Sequence, residues 1–315
     1  MSVRLSQFDP KLLDFVTWVI VKGCRLFQRI HITPNGLLAT ERIPENDFVA
    51  IVPVGSTLSI FDVVEDIVFP LKVSPFNYSN AIHFFQDLTR GDFVFISFLT
   101  KILVTGSPRG MKMYLDILPC NQKTSIDAAV NAAQTTEGYQ ESIRALLTQC
   151  KASRSDFDAA FKHAYCLYRR HAIPFWVSHG TWGTGHPYFQ NSDFTQAGTG
   201  NIMGMVPVLD LALHSPTPNA SIGYPDQEML LLISQHKKMR ANPKDNYFIM
   251  QALRDIEKGE MITTDKNVHF NFDDDTFKKR FGFSNASQVS AESNVIHQKI
   301  TSDWMEANEF KNIGV

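Results

Sequence analysis

The chain has 315 residues, 44% of them hydrophobic and 20% charged, with a formal net charge of −2 at pH 7. That length and apolar content supply a sizeable core and exclude global disorder. The near-neutral charge gives no reason to expect nucleic acid as the main partner, and no run reaches the roughly 18 apolar residues of a membrane span.

The first segment, residues 10–24, reads as a helix. Leu12, Phe15, Val16 and Val19 recur at helical spacing, and Gly23 stops the pattern. The stretch LLDFVTWVI is too short to cross a membrane and is broken by Asp14. Arg4, Lys11, Lys22, Arg25 and Arg29 outnumber Asp9 and Asp14 here. The N-terminus is therefore either the first amphipathic helix of the fold or a mitochondrial address. An intracellular setting, cytoplasmic or mitochondrial, is the expectation.

Residues 27–60 read as β-structure: FQRIHI, a Pro34-Asn35-Gly36 turn, LLAT and FVAIVPV, with Pro44 and Gly55 as breaks. Residues 91–172 read as mostly helical, DFVFISFLTKILVTG and SDFDAAFKHAYCLYRRHA being the periodic stretches, with Ser155 as the expected N-cap of the second. Residues 174–204 are rich in Gly, Ser, Thr and Asn and read as a surface loop. Its GTWGTG and GTGNIMG stretches lack the GK[ST] ending and the strand–turn–helix setting of a phosphate loop. Residues 205–283 return to β-structure: MVPVLDLAL, SIGY, EMLLLISQ and YFIMQAL, then a turn and strand in DIEKGEMITT.

The 24 phenylalanines predict a Phe-rich core. Cys24, Cys120, Cys150 and Cys166 form no CxxC pair and have no histidine at zinc-ligand spacing, so no structural zinc is expected. Scattered cysteines in a chain this long predict reduced thiols.

Several separated segments match one family in one order: FVTWVIVKG, PNGLLATERIPENDFVAIVP, MYLDILP, FKHAYCLYRRHA, MVPVLDLALHSPTPNASI, DIEKGEMITTD and FKKRFGF. Together, over residues 10–285, they resemble the SET-domain protein methyltransferases, in the branch of the Rubisco large-subunit lysine methyltransferase. The resemblance implies an α+β fold: small β-sheets with a pseudoknot-like crossing of two late segments, and a helical insertion. It implies an N-terminal part of the SET domain at 1–90, the insertion and Gly-rich loop at 91–204, the C-terminal part at 205–285 and a tail at 286–315. About 30 residues follow Phe283, so the family's helical substrate-binding domain is expected to be mostly absent. Asp273, Asp274 and Asp275 read as the N-terminal charge group of a helix.

The family binds S-adenosylmethionine on one face of this fold, admits a substrate lysine by a channel from the other, and sets a tyrosine where they meet. Four of its motifs are altered here. In its Gly-x-Gly turn the second glycine is Gly36, beside Asn35, but the first is Pro34, which has no N–H and a fixed φ. The arginine that holds the cofactor carboxylate falls on His171, with Arg170 in the neighbouring serine position; adjacent helical residues point about 100° apart. The asparagine of the family's Asn-His-Ser strand end is Leu213, which neither donates nor accepts, although Asp210, His214, Ser215, Pro218 and Asn219 all match. The tyrosine after GE-x-I is Lys266, followed by Asn267. Two like charges about 4 Å apart cost on the order of 4 kcal/mol at an effective dielectric of about 20, so an ammonium is a poor neighbour for a sulfonium. Tyr224 and Tyr247 are the nearby phenols that could stand in.

The vestigial cofactor site therefore comprises Asn35, Gly36, Arg170, His171, Leu213 and His214, with Lys266 at the catalytic position. The expectation is a SET-fold pseudoenzyme that binds protein partners, as a component or assembly factor of a larger complex, with no cofactor. The alternative is an active lysine N-methyltransferase that uses S-adenosylmethionine through displaced groups.

Overall fold

The computed structural model describes residues 10–27, 29–33, 36–59, 62–63, 66, 68–71, 90–106, 110–118, 120, 137–177, 200–225, 227–236, 247–268, 272–281 and 283–285. Helix α1 (Pro10–Val21) starts on a proline, whose missing N–H costs nothing at a first helical position. It buries Phe15 and Val19, one turn apart. Gly23 then adopts φ +86°, Gly23 N donates to Ile20 O, and Cys24 N donates to Val19 O. That pair of bonds is a Schellman stop, the reason a glycine closes this helix.

Strands β1 (Arg25–Leu26), β2 (Ile30–Thr33), β3 (Gly36–Ala39) and β4 (Phe48–Pro53) follow. Four helices come next: α2 (Arg90–Thr105), α3 (Met111–Ile117), α4 (Glu137–Cys150) and α5 (Arg154–His171). The remaining elements are β5 (Ile173–Val177), β6 (Gly200–Gly204), β7 (Leu213–His214), β8 (Ala220–Gly223), α6 (Gln227–His236), β9 (Tyr247–Ala252), β10 (Thr263–Thr264) and α7 (Asp274–Phe281).

The main sheet has strand order β1-β4-β9-β8, all antiparallel. β2 and β3 form a hairpin, as do β5 and β6, while β7 and β10 lie side by side in parallel. β4 is an unbroken apolar run because both its faces are covered. Val49, Ala50 and Val52 face the main core, whereas Ile51 joins Ile249, Tyr247, Leu230 and Ile233 in a smaller one roofed by α6. The main core is phenylalanine-rich as expected: Phe15, Phe93, Phe95, Phe157, Phe161, Phe248 and Phe277 are all fully enclosed.

Five local expectations need correction. Of the apolar run MVPVLDLAL only Leu213 enters a strand, β7. Val208 sits at φ 74° and ψ −53°, a γ-turn conformation, and leads into a 3-10 turn over Leu209–Leu211. EMLLLISQ is the helix α6. A short apolar run does not reveal its own period, and Glu, Met and Leu are strong helix formers. Residues 174–177 and 200–204 of the expected loop belong to the β5/β6 hairpin; residues 178–199, which hold GTWGTG, lie outside the described residues. The N-cap of α5 is Ser153, whose Oγ accepts from Asp156 N at 3.1 Å, with Ser155 already inside the helix. Cys120 and Cys166 are joined in a disulfide, their Cα atoms 6.0 Å apart, so only Cys24 and Cys150 are free thiols. Two residues 46 apart in sequence gave no spacing cue that the helical packing would juxtapose them.

Asn219 fastens the late segments. Its Oδ1 accepts from Thr263 N at 2.8 Å, and its Nδ2 donates to Met261 O at 2.9 Å and to Glu260 Oε1 at 3.0 Å. Asn219 N in turn donates to Thr263 Oγ1 at 3.1 Å. It is 1% exposed, so water cannot replace these bonds. Asn219→Ala should lower unfolding free energy by about 2–4 kcal/mol in urea titration, because two buried backbone groups lose their partner. A change below about 0.5 kcal/mol would show that the fastening is redundant.

Candidate active-site remnant

The turn that Val208 initiates drives an acid inward. Asp210 is 1% exposed. Its Oδ2 accepts from the Tyr114 hydroxyl of α3, while its Oδ1 has no hydrogen-bond partner among the described residues. Its backbone carbonyl accepts from His171 Nδ1 at 3.1 Å, which places the proton of that imidazole on Nδ1. Burial pushes the Asp210 carboxyl up to about 8, against the opposing pull of the Tyr114 hydroxyl and of Lys266. Burial, and the nearby Asp210 charge, also raise the Tyr114 phenol well above its ordinary range.

Lys266 faces the same cluster and is 4% exposed. Its Nζ donates to the backbone carbonyl of Arg170. That carbonyl belongs to the last turn of α5, where the helix leaves its acceptors unmatched and its dipole favours a cation. Lys266 therefore acts as a C-terminal cap of α5. Burial pulls its ammonium down to about 7; Asp210 works against the shift and Arg170 adds to it. Arg170 itself is lowered by burial.

Lys266 N donates to His214 Nδ1 at 3.2 Å, and His214 Nε2 donates to Asn285 O at 3.3 Å. The ring is thus the neutral Nε2–H tautomer, and burial lowers its pKa. It packs on Phe277 and Phe283 at 4.7 and 5.5 Å between ring centroids, which ties the start of the late segments to α7. Asp273 Oδ1 accepts from Thr276 N at 2.7 Å, so the acidic run does serve the N-terminus of α7.

Gly36 has φ +140°, a backbone that favours glycine. A Cβ there would come within 2.8 Å of Met261 Cε, 3.2 Å of Leu211 O and 3.3 Å of Leu213 Cγ. The space beside this glycine is thus filled by the chain's own apolar side chains.

The sequence-selected residues consequently fall into one region. Gly36 meets Leu213, His214 follows it and bonds Lys266, Lys266 bonds Arg170, and His171 bonds Asp210. Asn35 lies outside the described residues. The candidate stand-in phenols are engaged elsewhere: Tyr224 packs on Phe248 at 4.7 Å, and Tyr247 belongs to the small core under α6. The residues sequence reasoning missed are Tyr114 and Asp210 as a pair. The signals for Asp210 were its place in the matched strand-end motif and an acid set among otherwise apolar residues in MVPVLDLAL; neither pointed to Tyr114.

Proton linkage makes the cluster testable. Folded Asp210 keeps its proton to about pH 8 but loses it near 3.8 when unfolded. The folded state binds the extra proton in that window, so stability falls as pH rises through it. Lys266 has the opposite sign: its proton is held to about 10.5 unfolded and to about 7 folded, so stability rises across that window. The unfolding free energy of the native chain minus that of the Asp210→Asn, Lys266→Met double variant should be lowest between about pH 7 and 8. It should change by up to about 1.4 kcal/mol per pH unit on either side. A difference constant from about pH 5 to about pH 10 would contradict titration within this cluster.

No family model and no curated sequence matches the chain. Its fold, however, is similar to that of solved structures. The SET domain of LSMT bound to lysine and AdoHcy gives a TM-score of 0.54 at 16% identity, covering 90% of this chain and 58% of that one. The same domain bound to MeLysine and AdoHcy gives 0.52 at 14% identity, over 96% and 65%. Rubisco LSMT bound to sinefungin and monomethyllysine gives 0.50 at 14%, again over 96% and 65%. The chain thus spans 58–65% of the length of the structures it matches. At such identities the likeness is one of fold, and the fold of this chain is the SET domain seen in Rubisco LSMT.

Proposed function

We propose that this chain is a SET-fold protein that has given up methyl transfer and works by binding protein partners, as a component or assembly factor of a larger complex. The observation that carries the reading is the commitment of Lys266 Nζ to the Arg170 carbonyl. In the resemblance drawn from sequence, position 266 is where the family tyrosine would be. Here a buried amine holds the end of a helix instead, and it lacks the geometry of a phenol for orienting an incoming amine.

Three further observations support the reading. Met261 and Leu213 cover Gly36, where the backbone would have to approach a cofactor. The polar reader at the strand end is Leu213, so a buried polar group of a ligand there would go unpaired at about 1–3 kcal/mol. Arg170 adds positive charge, Lys266 is charged in part near neutrality because burial pulls it down to about 7, and the acid beside them, Asp210, is kept largely protonated by its burial. This set of groups does not suit a sulfonium, and no methyl-transfer step is derived from it.

The competing reading is an active S-adenosylmethionine-dependent lysine methyltransferase with displaced groups. It would have to recruit Tyr114, the phenol within the cluster, whose hydroxyl is given to Asp210.

Isothermal titration with S-adenosylmethionine and S-adenosylhomocysteine should show no saturable heat up to about 1 mM. The double variant Leu213→Asn, Lys266→Tyr should gain at least about tenfold in affinity. Micromolar binding by the unaltered chain, with labelled methyl transfer lost in Tyr114→Phe, would overturn the proposal. Tagged chain isolated from its native cells should retain partners at fixed stoichiometry; recovery as a lone, partner-free monomer would remove the binding role.

A further inference from the structure

We propose that the Cys120–Cys166 bond is a reversible thiol–disulfide switch acting on the buried Tyr114–Asp210–His171 network. The inference stands apart from the question of methyl transfer, since it concerns how the two helices that hold Asp210 are tied together.

The bond closes a ring of contacts. Helix α3 supplies Tyr114, whose hydroxyl donates to the Asp210 side chain. Helix α5 supplies His171, whose Nδ1 donates to the Asp210 backbone. Cys120 lies three residues beyond α3 and Cys166 one helical turn before Arg170, and their disulfide ties the residues just after α3 covalently to α5. One cross-link in the chain thus spans the two helices that share its buried acid.

The two sulfurs differ in access. Cys166 is 2% exposed, whereas Cys120 is half-buried. Of the two residues, Cys120 is therefore the more open to a thiolate from solution. The other cysteines are poor competitors for exchange, since burial raises the thiols of both Cys24 and Cys150 and so lowers their thiolate fraction.

The chemistry balances with a low-molecular-weight thiol as reductant. Its thiolate attacks Cys120 Sγ, the S–S bond breaks, and Cys166 leaves as a thiolate that takes up a proton. A second thiolate attacks the external sulfur of the mixed disulfide, releasing Cys120 as a thiol and the reductant as its own disulfide. Two electrons pass from two external thiols to the protein, and the oxidised form of the same reagent reverses the sequence.

Reduction leaves non-covalent ties in place. The His163 imidazole is hydrogen-bonded to the Leu115 backbone. Tyr114 also stacks on Phe15 and Trp18 of α1 at 5.7 and 6.0 Å, and Met111, Leu115 and Leu118 are buried in the main core. These contacts keep α3 docked, so the reduced form is a loosened native state with a weaker hold on Asp210.

The test uses the full chain. Alkylation under non-reducing conditions with intact mass should show one disulfide. Exposure to reduced glutathione should then yield a mixed disulfide on the Cys120 peptide and a fully reduced product. Hydrogen exchange in residues 111–118 and 163–171 should speed up by at least about tenfold on reduction, with a cooperative unfolding transition retained. Oxidised glutathione should restore the slow exchange. Cys120→Ala should exchange fast in both conditions; reduction of the unaltered chain gives the same reading without any variant. Exchange that ignores reduction would mark the bond as inert. Loss of cooperative structure on reduction would mark it as a fixed staple. A purified chain with four free thiols would remove the switch altogether.

Discussion

A carboxyl group cut off from water has to be neutral or be answered by groups the protein provides, and Asp210 is the point where this chain meets that demand. Burying a charge unpaired is among the most expensive acts in folding. Tyr114 donates to one oxygen, Lys266 lies nearby as a partly charged amine, and the backbone carbonyl of Asp210 accepts from His171. Three distant stretches of sequence are thereby required to meet at one buried point. The strained γ-turn at Val208 that aims the acid inward costs about 1–3 kcal/mol, a cost the surrounding contacts must offset.

From that point the site is built outward by backbone acceptors more than by side-chain pairs. Lys266 ends on a helix carbonyl, His214 links a backbone N–H to a backbone carbonyl, and Asn219 bonds two backbone groups and a carboxylate of the 260–263 segment at once. Each of these side chains replaces a solvent contact that the interior cannot offer. A pocket whose polar groups are consumed in holding up its own walls has few left to recognise a ligand. That is the physical content of the proposed degeneracy. On that proposal the turn around His214 and Ser215 is kept for the bonds it makes within the chain, and Leu213 needs no polar group.

How much of this was legible in the sequence depended on the kind of signal. Short apolar runs bounded by turn residues located β2, β3, β4 and β9, and helical period located α1, α2 and α5. The positions Gly36, Leu213 and Lys266 came from ordered motif matches, and the structure draws them together. MVPVLDLAL misled because its residues are buried on all sides, so apolarity reported enclosure and carried no period. EMLLLISQ misled for a related reason: it roofs the outer face of β4 and β9, and Leu230 and Ile233 are its core-facing residues. Tyr114 with Asp210, and Cys120 with Cys166, were invisible as pairs. They are 96 and 46 residues apart, and only helix packing brings either pair together.

The strand order of the main sheet carries a consequence for synthesis. β4 finds its central partner β9 through contacts such as Pro53 with Tyr247, so about 190 residues must leave the ribosome before that edge is filled. Through this interval the stretch Val49–Val52, fully enclosed in the finished molecule, is a naked apolar ribbon with open backbone donors and acceptors. Such a ribbon recruits any neighbouring strand. A holdase that shields this stretch would therefore raise the folding yield, and slowed elongation between residues 54 and 246 prolongs its exposure.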